Sequence, residues 1–113
     1  MNVYIYDSYV NEKKYLQTVA KIETRITDLG LNGKIVRLGI MNSVFDIIDS
    51  EVKKGAKTII AVGNAYLLNQ CINAIAQLGR VNPVFAKTPL GFVPVGKKFN
   101  EIASYLGIDF AEN

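Results

Sequence analysis

The 113-residue chain contains no histidine and a single cysteine. Without histidine, neither a Ser-His-Asp nor a Cys-His catalytic arrangement can be assembled within it, and a zinc site loses its commonest nitrogen ligand. Cys71 has no partner for an internal disulfide, which suits a reducing compartment. Its place on the expected inner face of a helix favours a small buried apolar residue over a reactive thiol. Long apolar runs are missing as well, and nothing approaches the roughly 20 consecutive residues needed to cross a bilayer. The opening Met-Asn-Val-Tyr-Ile-Tyr reads as a strand, not as a basic leader with a cleavage site, so a cytoplasmic protein is expected. Charge is sparse, a fifth of the residues, and the net charge of +3 is scattered along the chain. Such mild basicity is compatible with an anionic nucleotide or lipid surface without indicating either. No arginine-rich patch is interleaved with aromatics, so nucleic acid is not an expected partner.

Half of the residues are apolar, enough for a folded core in one domain spanning residues 1–113. Val3 to Tyr6 reads as a first strand ending at Asp7-Ser8. Asn11 is placed to cap a helix running to about Leu29, with Tyr15, Leu16, Val19, Ile22, Ile26 and Leu29 at helical spacing and Gly30 at its end. Lys34 to Leu38 forms a second strand. Ser43 and Asp46 have capping spacing, and Val44, Ile47, Ile48 and Val52 share one helical face up to Gly55. Thr58 to Val62 is continuously apolar, as for a strand covered on both faces. A third helix is expected from Ala65 to Leu78, with Leu68, Cys71, Ile72 and Ile75 inward. A loop through Asn82-Pro83 leads to a fourth strand, Leu90 to Val93. A last helix from Phe99 to Leu106 stops at Gly107, and Ile108 to Phe110 could begin another strand. Alternation of this kind specifies an α/β fold, a mostly parallel four-stranded sheet in order 2-1-3-4 with helices on both sides.

Two strand-glycine-helix turns carry the chemistry. The first is Thr58-Ile-Ile-Ala-Val-Gly-Asn-Ala-Tyr-Leu-Leu-Asn-Gln70; the second is Pro89-Leu-Gly-Phe-Val-Pro-Val-Gly96. At such turns backbone N–H groups and a helix dipole converge on phosphate. In order and spacing the pair resembles the catalytic domain of diacylglycerol kinases and their sphingosine and NAD kinase relatives. That family reads Gly-Gly-Asp-Gly-Thr-x-Asn-Glu, then Pro-Leu-Gly-x-x-Pro-x-Gly-Thr-Gly-Asn-Asp-x-Ala. Gly63 matches the first glycine and Asn69 the asparagine; Gln70 stands for the glutamate, while Asn64, Ala65, Tyr66 and Leu67 fill the places between. Asn64 can either visit positive φ in a phosphate turn or cap the third helix while Leu67 and Leu68 pack. Ala65 removes the family's carboxylate, and Tyr66 sets a ring where phosphate approaches. Pro89, Leu90, Gly91, Pro94 and Gly96 stay in register. Lys97 and Lys98 replace Thr-Gly, and Asn100, Glu101 and Ala103 approximate Asn-Asp-x-Ala with one residue inserted.

The resemblance implies a three-layer Rossmann-like domain that holds ATP with Mg²⁺ through Asp7, Gly63, Asn64, Asn69, Gly96, Lys97 and Asn100. In the family the γ-phosphoryl passes to a lipid hydroxyl, and the lipid pocket and catalytic base come largely from a following β-rich domain that these 113 residues do not include. A nucleotide-binding half that is inactive alone is therefore expected, with no catalytic or metal-ligating residue assigned. A membrane lipid enters as partner only with such a second domain. The alternative is a non-catalytic binding or oligomeric assembly domain of the same descent, with Tyr66 and Tyr105 in an interface. A response-regulator receiver would also place an acid at Asp7, but it needs a phospho-acceptor aspartate after the third strand, where Gly63-Asn64 offers none.

Overall fold

A computed structural model of the chain describes residues 1–96. The elements are β1 (Asn2–Tyr6), two 3₁₀ turns (Ser8–Asn11 and Lys13–Tyr15), α1 (Leu16–Asp28), β2 (Gly33–Arg37), α2 (Val44–Lys53), β3 (Thr58–Gly63), α3 (Ala65–Gly79), the single turn α4 (Pro83–Ala86) and β4 (Leu90–Pro94). All three strand pairings are parallel and the order is β2-β1-β3-β4, as the alternation required. The result is a Rossmann-like α/β fold. No helix among the described residues is long and apolar enough to cross a membrane. The expected last helix, the strand expected to begin at Ile108 to Phe110, and the residues Lys97, Asn100 and Tyr105 lie outside the described residues.

Alternation along β1 divides the interior. Val3 and Ile5 face α2, α3 and α4 in a large aliphatic core with Ile48, Ile59, Leu67, Cys71 and Phe85. Tyr4 and Tyr6 face α1 in a smaller core with Val10, Ile22, Val62 and Val95. Hydroxyls in this second layer find acceptors: Tyr6 donates to Glu23 (2.7 Å) and Tyr9 to the Val95 carbonyl (2.6 Å), as buried phenols require. The one buried charged residue among those described, Glu51, accepts from Lys34 Nζ at 2.8 Å.

Four local expectations need correction. Asn11 does not cap α1. Burial of Val10 and the reach of Tyr9 to Val95 hold that segment in tight turns, so α1 begins at Leu16, and Asn11 instead accepts from Arg37 Nε at 3.1 Å. Leu16 and Leu29, at the two ends of α1, are exposed. On α3 the inner stripe runs through Leu67, Cys71 and Ala74, leaving Ile72 46% exposed on the flank. The Asn82-Pro83 loop winds into α4, because the Asn82 side chain accepts from Val84 N–H and Pro83 begins the turn with its φ already helical. Ser43 does cap α2, accepting from Asp46 N–H at 3.1 Å.

Burial pushes the Cys71 thiol up to about 12. Burial, and then the bond to Glu23, raises the Tyr6 hydroxyl; burial, and then nearby Asp7, raises that of Tyr9. All three groups are therefore kept neutral in the fold, whereas in the unfolded chain they ionise near their ordinary values, about 8.5 for the thiol and 10 for the phenols. Stability should accordingly be complete below about pH 8.5 and fall as pH climbs from there toward 12. Urea midpoints at pH 7, 9 and 10.5 should decline in that order. A midpoint unchanged at pH 10.5 would mean that these groups are not shielded.

Candidate functional site

Parallel pairing sends the ends of all four strands to one edge of the sheet, and there the two glycine turns meet. Gly63 is in register with Pro94, and the Val95 N–H donates to the Gly63 carbonyl at 2.9 Å. On the other side of β3, the Asp7 N–H donates to the Val62 carbonyl at 2.9 Å. Asp7, Gly63 and Gly96 are thus carried on adjacent strand ends.

The two glycines serve different needs. A Cβ on Gly63 would stand 2.7 Å from Asp7 Cβ, 3.1 Å from Leu67 Cδ2 and 3.3 Å from Asp7 Oδ2. Close approach, not left-handed backbone, fixes glycine here. Gly96 does adopt positive φ, 124°, where other residues are strained.

Asn64 takes the capping role. Its backbone is extended (φ −109°, ψ 175°), and its Oδ1 accepts from Leu67 N–H at 2.9 Å. Positive φ is not used. The cap answers one of the orphan donors of α3, while the N–H groups of Ala65 and Tyr66 in the first turn have no carbonyl within the helix. Leu67 is fully buried and Tyr66 is 70% exposed, so the helix seats itself by one residue and turns the ring outward. Asn69 lies further along α3 on an exposed face and does not join this cluster; Gln70, its neighbour, borders the loop that follows β2.

That loop supplies residues that no sequence motif pointed to. A cleft of about 420 Å³ is lined by Ser8, Leu38, Gly39, Ile40, Asn42, Ser43, Val44 and Gln70. Asn42 shapes it, accepting from the Gly39 N–H at 2.7 Å and donating to the Arg37 carbonyl at 3.4 Å. The cleft lies beside Asp7, at the edge where open α/β sheets receive ligands, and its volume is within the range of small-molecule sites. Its walls combine the aliphatic Leu38, Ile40 and Val44 with the polar Ser8, Asn42, Ser43 and Gln70, a composition that suits a planar ring system carrying a few hydrogen-bonding groups.

Among the described residues the donor set gives magnesium no ready-made cage. Position 65 is alanine, Asp7 is the carboxylate at the cluster, and no group of three acidic or cysteine side chains among the described residues could hold a metal ion. What the arrangement offers is a set of backbone donors beside a ring-sized cleft. In comparison with known proteins, the chain matches no family model and no curated protein.

Proposed function

We propose that this chain is the nucleotide-binding half of a diacylglycerol-kinase-like protein, binding a phosphate-bearing nucleotide without transferring phosphate by itself. The observation that carries this reading is the close packing of Gly63 against Asp7, with Gly96 at positive φ on the neighbouring strand end. The phosphates would lie along the Ala65 and Tyr66 N–H groups and the Gly96 turn, with the nucleoside in the cleft between Ser8, Asn42 and Gln70. Lys97, next in sequence to Gly96, would add a positive charge. No step through a metal follows from these residues.

Each exposed helix-end or charge contribution is worth only about 0.3–1 kcal/mol, so affinity near millimolar is expected. The Tyr66 ring stands in solvent and Ala65 supplies no carboxylate for a third phosphate, so AMP and ADP should bind no worse than ATP. Titration of the three nucleotides, followed by amide NMR, should shift Gly63, Gly96, Ser8 and Gly39, and Lys97→Ala should weaken each titration. Silence at all four amides would transfer the case to the second reading, a non-catalytic assembly domain. That reading has its own support: the Asn64 side chain is committed to its cap and the Tyr66 ring stands in solvent, so the turn is closed on itself.

A further inference from the structure

Both edges of the sheet end in strands, and they are not alike. Since the Val95 N–H bonds to Gly63, β4 residues 91, 93 and 95 turn their main-chain groups to β3, and Leu90, Phe92 and Pro94 turn theirs outward. Pro94 has no N–H, so the β4 edge is blunted against further pairing. On the opposite side the Leu38 N–H donates to Tyr6, so Lys34 and Val36 bond inward and Gly33, Ile35 and Arg37 present outward groups. Within β2 there is no proline, and no other described strand pairs with its outer edge.

Lysine and arginine usually guard such an edge by repelling a second strand. Here both cations are already engaged within the chain. Lys34 Nζ lies 2.8 Å from Glu51 Oε2, and Arg37 donates to Asn11 with its guanidinium over the Tyr6 ring. Moreover α1 stops short of covering β2. A groove of about 240 Å³, lined by Tyr4, Ile26, Thr27 and Ile35 among others, stays open along the strand, and Ile35 is 38% exposed.

We propose that two copies of this chain pair antiparallel through β2, about a two-fold axis at Ile35, joining their sheets into one of eight strands. The register is self-complementary. Ile35 meets Ile35 of the second copy as a hydrogen-bonded pair, and Arg37 meets Gly33 in the same way. Lys34 falls beside Val36, in a non-hydrogen-bonded pair. No cation stands opposite another, and the two Ile35 side chains close over the adjoining grooves. A pairing shifted to centre on Lys34 would oppose two ammonium groups and offer main-chain groups already used by β1. This pairing is independent of the nucleotide reading, since none of its residues belongs to the Asp7–Gly63–Gly96 cluster.

Sedimentation of the full chain across a concentration series should show a monomer–dimer equilibrium. Ile35→Lys, with an unchanged circular dichroism spectrum, should weaken it by at least about tenfold, because like charges then stand directly opposed. Ile35→Cys should form an intermolecular disulfide under mild oxidation, because the self-paired Cα atoms come within bridging distance. Lys34→Cys, two residues out of register with its own copy, should not, and buried Cys71 does not compete. A monomer at every concentration to about 1 mM, a dimer indifferent to Ile35→Lys, or equal cross-linking of both cysteine variants would each overturn the proposal. The last two outcomes would assign the contact to another surface or to a different strand.

Discussion

Phe85→Ala should destabilise the fold by about 3–5 kcal/mol, the range for removing a buried aromatic ring. Phe85 is 1% exposed and belongs to the large core shared by α2, α3 and the sheet. The helix that carries it, Pro83–Ala86, is one turn long and has no stability of its own. It is held by the ring and by close contact with α3, where a Cβ on Gly79 would already lie 3.4 Å from Ala86 Cβ and N. Removing the ring therefore opens a cavity and also releases the link between α3 and β4. Since domains of this size have only about 5–15 kcal/mol in total, the variant should lose a large share of its stability. Val84→Ala, on the exposed side of the same turn, should stay within about 0.5 kcal/mol. Urea denaturation of the two variants provides the comparison, and a loss under about 1 kcal/mol for Phe85→Ala would remove that residue from the core.

Gly63→Ala should cost about 1–3 kcal/mol through overpacking, and should abolish nucleotide-induced shifts at the strand ends. The added methyl has no free direction: Asp7 Cβ is 2.7 Å away and Leu67 Cδ2 is 3.1 Å away. Either β1 and β3 separate at their ends, which pulls Asp7 from Gly96, or α3 backs away from the sheet, which carries the Ala65 and Tyr66 N–H groups out of the cluster. Asp7→Gly in the same chain removes the nearer obstacle, so the double variant should be more stable than the sum of the single changes predicts. Strict additivity would mean that Asp7 and Gly63 are not in contact. The Gly96 turn gives a useful contrast, because a substitution there is disfavoured by backbone conformation even where space is free.

Much of the architecture could be read along the chain because its signals are local. Strands three and four were visible as apolar runs before glycine turns, and Ser43 and Asn64 stood at capping distance from their helices; each does what its spacing implies. Reading failed where a distant partner decides the local shape. The turns from Ser8 to Tyr15 depend on a carbonyl at Val95, and the inward choice of Ala74 over Ile72 depends on how close α3 sits to the sheet. The strand-end cluster was half legible: Gly63 and Gly96 announced themselves, Asn69 lies apart from them, and Lys97 and Asn100 fall outside the described residues. The cleft was not legible at all. Ser8, Asn42 and Gln70 come from three separate loops or helices, and no spacing in the sequence links them.

The turn at 63–67 assigns its duties unevenly. Gly63 and Leu67 are locked by packing, while between them Ala65 and Tyr66 touch little of the core and Asn64 is held by one capping bond. Side chains at this edge can therefore be exchanged at positions 65 and 66 with little penalty to folding, and at position 64 for about the 0.5–2 kcal/mol of a lost cap, so the scaffold sets few demands on the surface of its own turn. Conversely, new side chains can be set at such a turn by a few exchanges without rebuilding what lies beneath.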